Sequence, residues 1–416
     1  MSTPRRRSIP RVAPLVLLVA AAALPYARLP SCPVYPDAER ATRNAIVRGG
    51  SAAAVVTADF WGHARNDAEA TGSYRPSVSL TYWLQARLWG GGAAPLHLFD
   101  MALHAAAVLL LYGMLGLALG GGTPALLAAL VFAVHPALSE AVASVVGRAD
   151  LLAGASFLGA LLSHRRAARS AASLRWEAGA LVLLAVALFS KEYAVVFPFL
   201  LLLVDLVLPV AAGSDRRAAI RRFGVWMLVV LGLYLAVRIA VLGSLGRVPL
   251  VVPADTPLAG YSLLDRLANA VWLLGVALRL LVVPAALDHV YGVGTVAVAS
   301  GIGDPRALAS VALWMAAAAL AGWHWRRRGD GVPFVALVLF ALPLLPALNT
   351  VGVTVILFAE RFLYVPAMGF ALGLAWLLQR ATRRTLVHRV VNICVLLVAV
   401  VFALRTARRV EDWRSN

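Results

Sequence analysis

Apolar runs recur along nearly the whole of this chain, and that recurrence leaves it few possible folds. They fall at about 12–27, 97–119, 124–141, 145–163, 177–190, 193–209, 223–243, 266–284, 306–325, 333–348, 362–379 and 390–404. In hydrocarbon every backbone N–H and C=O needs an internal partner, which leaves helices or a closed barrel. The runs lack the two-residue alternation of barrel strands, so an all-α polytopic membrane protein is expected. Composition agrees: 61% of residues are hydrophobic and 14% charged, where a soluble chain is about 25% charged.

A net charge of +18 invites comparison with nucleic-acid binders, but the arginines are not spread over one face. They cluster between apolar runs, at Arg5 to Arg11, Arg165 to Arg175, Arg216 to Arg222, Arg326 to Arg328 and Arg380 to Arg389. That is the pattern the positive-inside rule gives to cytoplasmic loops, so the expected partners are membrane lipids and not nucleic acid. Twelve crossings would put the last two clusters outside. If 266–304 re-enters or crosses twice, both return to the cytoplasm, so 11–13 crossings are expected, with 11 preferred.

The domain plan follows. Residues 1–11 form a cytoplasmic basic N-terminus, 12–404 the transmembrane domain, and 405–416 a short C-terminal tail. The first helix is retained as a span and not cleaved as a signal peptide. Residues 31–76 make a large first outer loop with Asp37, Glu39, Asp59, Asp67 and Glu69, and 244–265 make a second. Ser77 to Trp89 reads as an amphipathic piece lying along the interface. Cys32 and Cys394 sit near opposite ends, so no disulfide framework is implied.

Ionisable residues inside apolar sequence are costly and mark candidate sites. Lys191 is the only lysine among 38 basic side chains. In a chain that otherwise always uses arginine, it points to a place needing a compact ammonium. The Ser190-Lys191-Glu192 step is joined by two other clusters on the same expected face: His135-Pro136, Glu140, Arg148 and Asp150, and Glu360-Arg361 with Tyr364 and Pro366. His97 and His104 share a helix face at i and i+7, a poor zinc spacing, and no metal ligand set is assigned. Asp100 and Asp205 are also embedded, Asp205 at a cytoplasmic helix end. There is no P-loop, GxGxxG or GxSxG element. A carboxylate beside cations at a membrane face suits transfer of a group from a lipid phosphate.

The motifs occur in a fixed order: Asp37…Asn44…Val47-Arg48-Gly49, Asp59-Phe60-Trp61-Gly62, Tyr74-Arg75-Pro76, His97…His104-Ala105, His135-Pro136…Glu140-Ala141-Val142, Val146-Gly147-Arg148-Ala149-Asp150-Leu151-Leu152, Ser190-Lys191-Glu192 and Glu360-Arg361-Phe362-Leu363-Tyr364-Val365-Pro366. From about Val34 onward the chain resembles the membrane portion of the transmembrane-and-tetratricopeptide-repeat (TMTC) O-mannosyltransferases. The resemblance implies a GT-C fold, an extracytoplasmic active site, a polyprenyl-phosphate-linked sugar donor (mannose in known members) and a protein hydroxyl acceptor. Two departures stand out. The family's pair of adjacent acids reads Pro36-Asp37 here, and the repeats that follow a segment like Arg405 to Asn416 are lacking.

The resulting expectation is an inverting membrane glycosyltransferase of the bacterial inner membrane, acting on an acceptor protein or glycan. Asp37 is the base, with Asp59 its rival. Arg75, Arg148, Lys191 and Arg361 bind the donor phosphate; His135, Glu140, Asp150, Glu192 and Glu360 orient them; Trp61 and Tyr74 flank the sugar. No cofactor is assigned, although a divalent metal on Asp37 with Asp59 or Asp67 is left open. The alternatives are a non-catalytic scaffold related to the family, or a lipid or small-molecule transporter, which would favour mid-helix charges and inverted repeats.

Overall fold

The computed structural model describes residues 12–63, 72–169, 173–208, 216–243, 257–258, 260–288, 291–292, 295–350, 356–381 and 385–413. The basic N-terminus, Asp67, most of the 244–265 loop and the side chain of Asp37 therefore lie outside the described part. The described residues are helical, with one isolated β-bridge between Tyr291 and Phe358. In chain order the helices are α1 (Ala13–Ala23), α2 (Pro36–Arg43), α3 (Ala45–Gly49), α4 (Ala52–Val56), α5 (Pro76–Trp89), α6 (Ala93–Leu119), α7 (Thr123–Ala133), α8 (Ser139–Ala143) and α9 (Arg148–Ala167). They continue with α10 (Ser173–Leu188), α11 (Phe197–Val207), α12 (Arg216–Leu242), α13 (Leu263–Val282), α14 (Pro305–Arg328), α15 (Val332–Ala341), α16 (Pro366–Ala381) and α17 (Thr385–Asp412).

The boundaries follow local chemistry. Prolines open α2, α5, α7 and α14, where a missing N–H costs nothing. Gly120 ends α6 at φ +80, a conformation in which a side chain would strain. The apolar run 124–141, read from sequence as one piece, is two helices bent by 53°. The break falls at His135-Pro136, where proline lacks the N–H that would continue the ladder and the His135 ring accepts from the Ala137 N–H instead.

Among the described residues six helices are long and apolar enough to cross a membrane, or up to seven with this bent pair counted as one, fewer than the 11–13 crossings expected from sequence. The chain is an integral membrane protein. Helix α9 is its axis: 89% of its apolar window is buried in protein, against 6% for α17, whose leucines and valines face outward. Where helices meet closely, glycine makes room. A Cβ on Gly369 of α16 would lie 2.5 Å from the Phe340 nitrogen and 2.6 Å from the Ala336 oxygen of α15.

Contacts sort the helix ends into two sets. At one end, Asp205 of α11 binds His164 (2.5 Å) and Arg165 (3.3 Å) of α9, as expected of an anchor. Trp376 of α16 reaches Asp330 between α14 and α15 (2.8 Å), and Gln379 reaches Leu119 at the end of α6 (2.8 Å). At the opposite end lie α2 to α5, the α7–α8 bend, the start of α9, the α10–α11 junction and the Glu360–Leu363 turn. Both termini of α13 are tied to this second end: Asn269 holds Ala299 just before α14, and the Leu281 carbonyl holds His135.

Candidate active site

Three loops meet at that second end because each helix there is broken by its own sequence. Helix α10 stops when the Ser190 hydroxyl turns back on the Val186 carbonyl (2.6 Å). Lys191 is then extended, at φ −153 and ψ 138, before a 3₁₀ turn over Glu192–Val196 leads into α11. The extended step sends neighbouring charges to different partners. Lys191 Nζ donates to Asp150 Oδ2 at the start of α9 (2.8 Å). Glu192 receives Arg75 in a bidentate pair, Nε at 3.1 Å and Nη2 at 2.9 Å. Arg75 precedes Pro76, which keeps it out of the helix, and its guanidinium rests 4.9 Å over the Phe60 ring.

The third loop is the Glu360–Leu363 turn. The Arg361 backbone N–H donates to Glu140 Oε2 (2.7 Å) and its guanidinium binds the same carboxylate. Lys191 Nζ and Arg361 Cζ each lie 5.6 Å from the Phe362 ring centre. Arg75, Lys191 and Arg361 thus converge, each holding one carboxylate, and their side chains retain 12%, 6% and 16% exposure. Each also has donors that the described residues leave unspent: Nη1 of Arg75, the further Nζ protons of Lys191, and Nε and Nη2 of Arg361.

Burial pushes the Lys191 ammonium down to about 8; Asp150 opposes this, while Arg75 and Arg361 add repulsion. Burial pushes Glu192 up, but the charge and hydrogen bonds of Arg75, with Arg238 and Lys191, hold it down at about 2.

Arg148 belongs to a different environment. It is fully buried, donating to Asp100 (2.6 Å), Gln85 (2.5 Å), Thr81 (3.0 Å) and the Leu96 carbonyl (3.0 Å), between the Tyr82 and Phe99 rings. Sequence grouped it with the phosphate binders, but it is sealed in the bundle and four of its five N–H donors go to protein groups. Glu360, expected to orient the cations, makes no direct hydrogen bond to Arg361 and holds the turn beside it instead. It accepts from Tyr291 (2.7 Å) and Arg409 (2.9 Å), and burial pushes its carboxyl up to about 8 against the pull of Arg409.

His135 is buried between the Leu281 carbonyl (2.9 Å) and Phe402, a support for the bend and α13. His104, with Tyr364 on one ring nitrogen (2.9 Å) and the Ala133 carbonyl on the other (3.0 Å), staples α6 to the same bend.

In the outer loop Asp59 is buried and accepts from the Trp61 and His63 N–H groups (2.9 and 2.7 Å), fixing a turn. Gly62 at φ +89 lies against Asn44, whose side chain caps α3 through the Val47 N–H; a Cβ there would come within 2.7 Å of it. Trp61 is partly exposed and packs edge-on to Phe60, while the buried Tyr74 hydroxyl is held by the Val56 carbonyl (2.8 Å). Asp37 lies on the first turn of α2. Among the described residues no three His, Cys, Asp or Glu side chains gather to hold a metal.

Sequence reasoning passed over Arg409, Tyr291, Gln85 and Phe60. Asp100 was visible as an embedded acid, but its partner, 48 positions away, was not.

With this geometry in hand, sequence comparison is decisive. Over 381 residues, 86% of this chain, it is 31% identical to the mouse protein O-mannosyl-transferase TMTC3. It is similar to part of the TMTC protein O-mannosyl-transferases. Human TMTC4 is 28% identical over 407 residues, again 86% of this chain. The chain spans 41% of the first and 54% of the second, about half the length of the relatives it matches. No protein-family profile matches it.

In fold it is similar to the Archaeoglobus fulgidus oligosaccharyltransferase tethered with an acceptor peptide. The TM-score is 0.57 at 14% identity, over 96% of this chain and 55% of that one. A second structure of that enzyme, AglB in complex with an inhibitory peptide and a dolichol-phosphate, gives 0.56 at 12% identity, over 95% and 56% of the two chains. The chain thus shares the fold of the membrane part it matches in that oligosaccharyltransferase.

Proposed function

We propose that the chain is a membrane glycosyltransferase that moves a sugar, mannose as in the names of its relatives, from a polyprenyl-phosphate donor to a hydroxyl acceptor on protein or glycan. The observation that carries this reading is the convergence of Arg75, Lys191 and Arg361 with unspent donors. Cations already half-neutralised by carboxylates can accept a phosphate without being stranded when it leaves. The AglB structure holds a dolichol-phosphate, the kind of lipid phosphate that such a donor would release.

Asp37, on the first turn of α2, takes the acceptor hydroxyl proton. The oxygen attacks the anomeric carbon from the face opposite the phosphate, the carbon–phosphate-oxygen bond breaks, and the cations stabilise the departing lipid phosphate. Asp150, Glu192 and Glu140 hold the three cations in place. Arg148, Glu360 and His135 hold the scaffold, Asp59 shapes the loop, Trp61 offers the sugar a partly exposed ring, and Tyr74 supports that loop from below.

The arginine-rich ends of α9, α14 and α16 are read as cytoplasmic, which puts the site outside. Since α13 starts and finishes at the site end, it is not counted as a crossing. The crossings are then α1, the α6, α7–α8, α9, α10, α11 and α12 series, and α14 to α17, which makes 11, with a cytoplasmic N-terminus, in a bacterial inner membrane. Pro36 in place of the first acid favours the second reading, a non-catalytic scaffold.

The test is transfer from radiolabelled polyprenyl-phosphate mannose by purified protein. Asp37→Asn abolishes transfer and donor hydrolysis, and Lys191→Gln raises donor KM roughly 10- to 100-fold, the worth of one charge-assisted hydrogen bond. An unaltered rate in Asp37→Asn, or no turnover of any lipid-linked sugar by folded protein, moves the assignment to the scaffold.

A further inference from the structure

The last turns of α17 touch more of the site end than any catalytic argument requires. The Thr406 hydroxyl donates to the Val134 carbonyl at the α7 break (2.8 Å). Arg409 Nε donates to the Ser139 hydroxyl at the start of α8 (3.0 Å), and its Nη2 to Glu360 (2.9 Å). One turn on, Trp413 packs edge-on to Tyr35, the residue that precedes α2. Yet α17 is otherwise the least buried of the candidate spans. A helix that barely packs elsewhere is nevertheless fixed at the position where it meets the Glu360–Leu363 turn.

We propose that Arg409 is a positioning residue: by gripping Glu360 and Ser139 together it fixes the turn that carries Arg361 against Glu140, and so sets where Arg361 stands beside Lys191. The proposal rests on the reading of Arg361 as a donor-binding residue. The physical case is one of anchors. Glu360 is fully buried; its carboxyl accepts from Tyr291 and Arg409, with the Asp288 backbone N–H beside it, and Arg409 is the cation among them. The Arg361 N–H, one residue on, is a hydrogen-bond donor to Glu140. With Arg409 gone, Glu360 keeps only the neutral Tyr291 and Asp288 donors, the buried carboxylate loses its cation, and the turn that carries Arg361 loses its link to α17 and α8. Ser139 and Glu140 are neighbours in α8, so the Arg409 bridge spans both sides of the Arg361–Glu140 pair.

The lone lysine supplies a reporter that needs no turnover. Lys191 is faced by Asp150, Arg75, Arg361 and Glu192, with the Tyr193 and Phe362 rings beside it, and Arg361 is one of the two cations that depress its titration. Acetic anhydride, at a series of pH values with peptide mapping by mass spectrometry, reads that titration at a single lysine. Wild type is expected to titrate at about 8.

In Arg409→Gln the value rises by about 0.5 or more, so that acylation at pH 8 slows about twofold, because a neighbouring cation has moved away. Glu360→Gln/Arg409→Gln, which restores a neutral hydrogen-bonded pair, returns it toward wild type, and Arg409→Lys leaves it near 8. An unshifted titration in folded Arg409→Gln overturns the proposal, and so does a double variant no better than the single. Should Arg409→Gln fail to fold, Arg409→Lys and the double variant still decide: a shifted value in both overturns it. A wild-type protein without transferase activity that still shows these shifts refutes the donor reading and leaves the positioning role standing.

Discussion

Replacing Arg148 separates a structural cation from a catalytic one. Its side chain and that of Asp100 both have zero exposure, and its four partners are all protein groups. Arg148→Met strands the Asp100 carboxylate in the bundle and leaves the Gln85 carbonyl without its donor. Breaking a buried pair from one side costs about 3–5 kcal/mol. With an unfolding entropy near 2.1 cal/mol/K per residue, a chain of 416 residues loses roughly 1 °C per kcal/mol, or roughly 3–6 °C.

Helices that persist in detergent lose less order on unfolding, so the shift is at least that large. Arg148→Met/Asp100→Leu removes both charges and recovers most of the loss, because a buried ion pair exchanged for apolar groups is near neutral. The assay is thermal unfolding of purified protein in detergent, followed by donor KM on each folded variant. The reasoning fails if Arg148→Met costs under ~1 kcal/mol. It fails equally if the stable double variant loses donor affinity, since Arg148 would then be touching the phosphate.

Two further outcomes follow from the same geometry. Glu192, ordinarily titrating at 4.5, is held at about 2 despite its burial, chiefly by Arg75. Its stabilising contribution is therefore complete above 4.5 and is lost as pH falls toward 2. Glu192→Gln should narrow the difference in melting temperature from wild type over that window; a constant difference from pH 5 to 2 contradicts the pairing. Gly369→Ala drives a methyl into the backbone of α15 and should cost about 1–3 kcal/mol, read by thermal unfolding; a neutral effect means the two helices are free to separate.

Much of the scaffold is legible without a structure, because the bilayer simplifies the problem. A run of apolar residues that must satisfy its own backbone becomes a helix, and the Ser190-Lys191-Glu192 break is written between two such runs, whereas the bend at His135-Pro136 inside 124–141 came only with the structure. The lone lysine, the acidic outer loop and the ordered motifs likewise point to one end of the bundle.

What a linear chain does not carry is the pairing of its charges. Arg75, Arg148 and Arg361 are the same residue in similar apolar surroundings, and Arg409 looks like one more basic residue in a basic tail. Arg148 is sealed because α6 brings Asp100 across 48 positions, and Arg361 meets Glu140 across 221. Arg75 keeps a free edge because Glu192 binds it from one side only. Hydropathy is a property of each residue, so the sequence alone determined that the chain forms apolar membrane helices, but not how many of them cross. The strength and availability of a charge depend on its distance to other charges and on the water excluded around them, so only the tertiary structure decided which cations are sealed and which keep unspent donors.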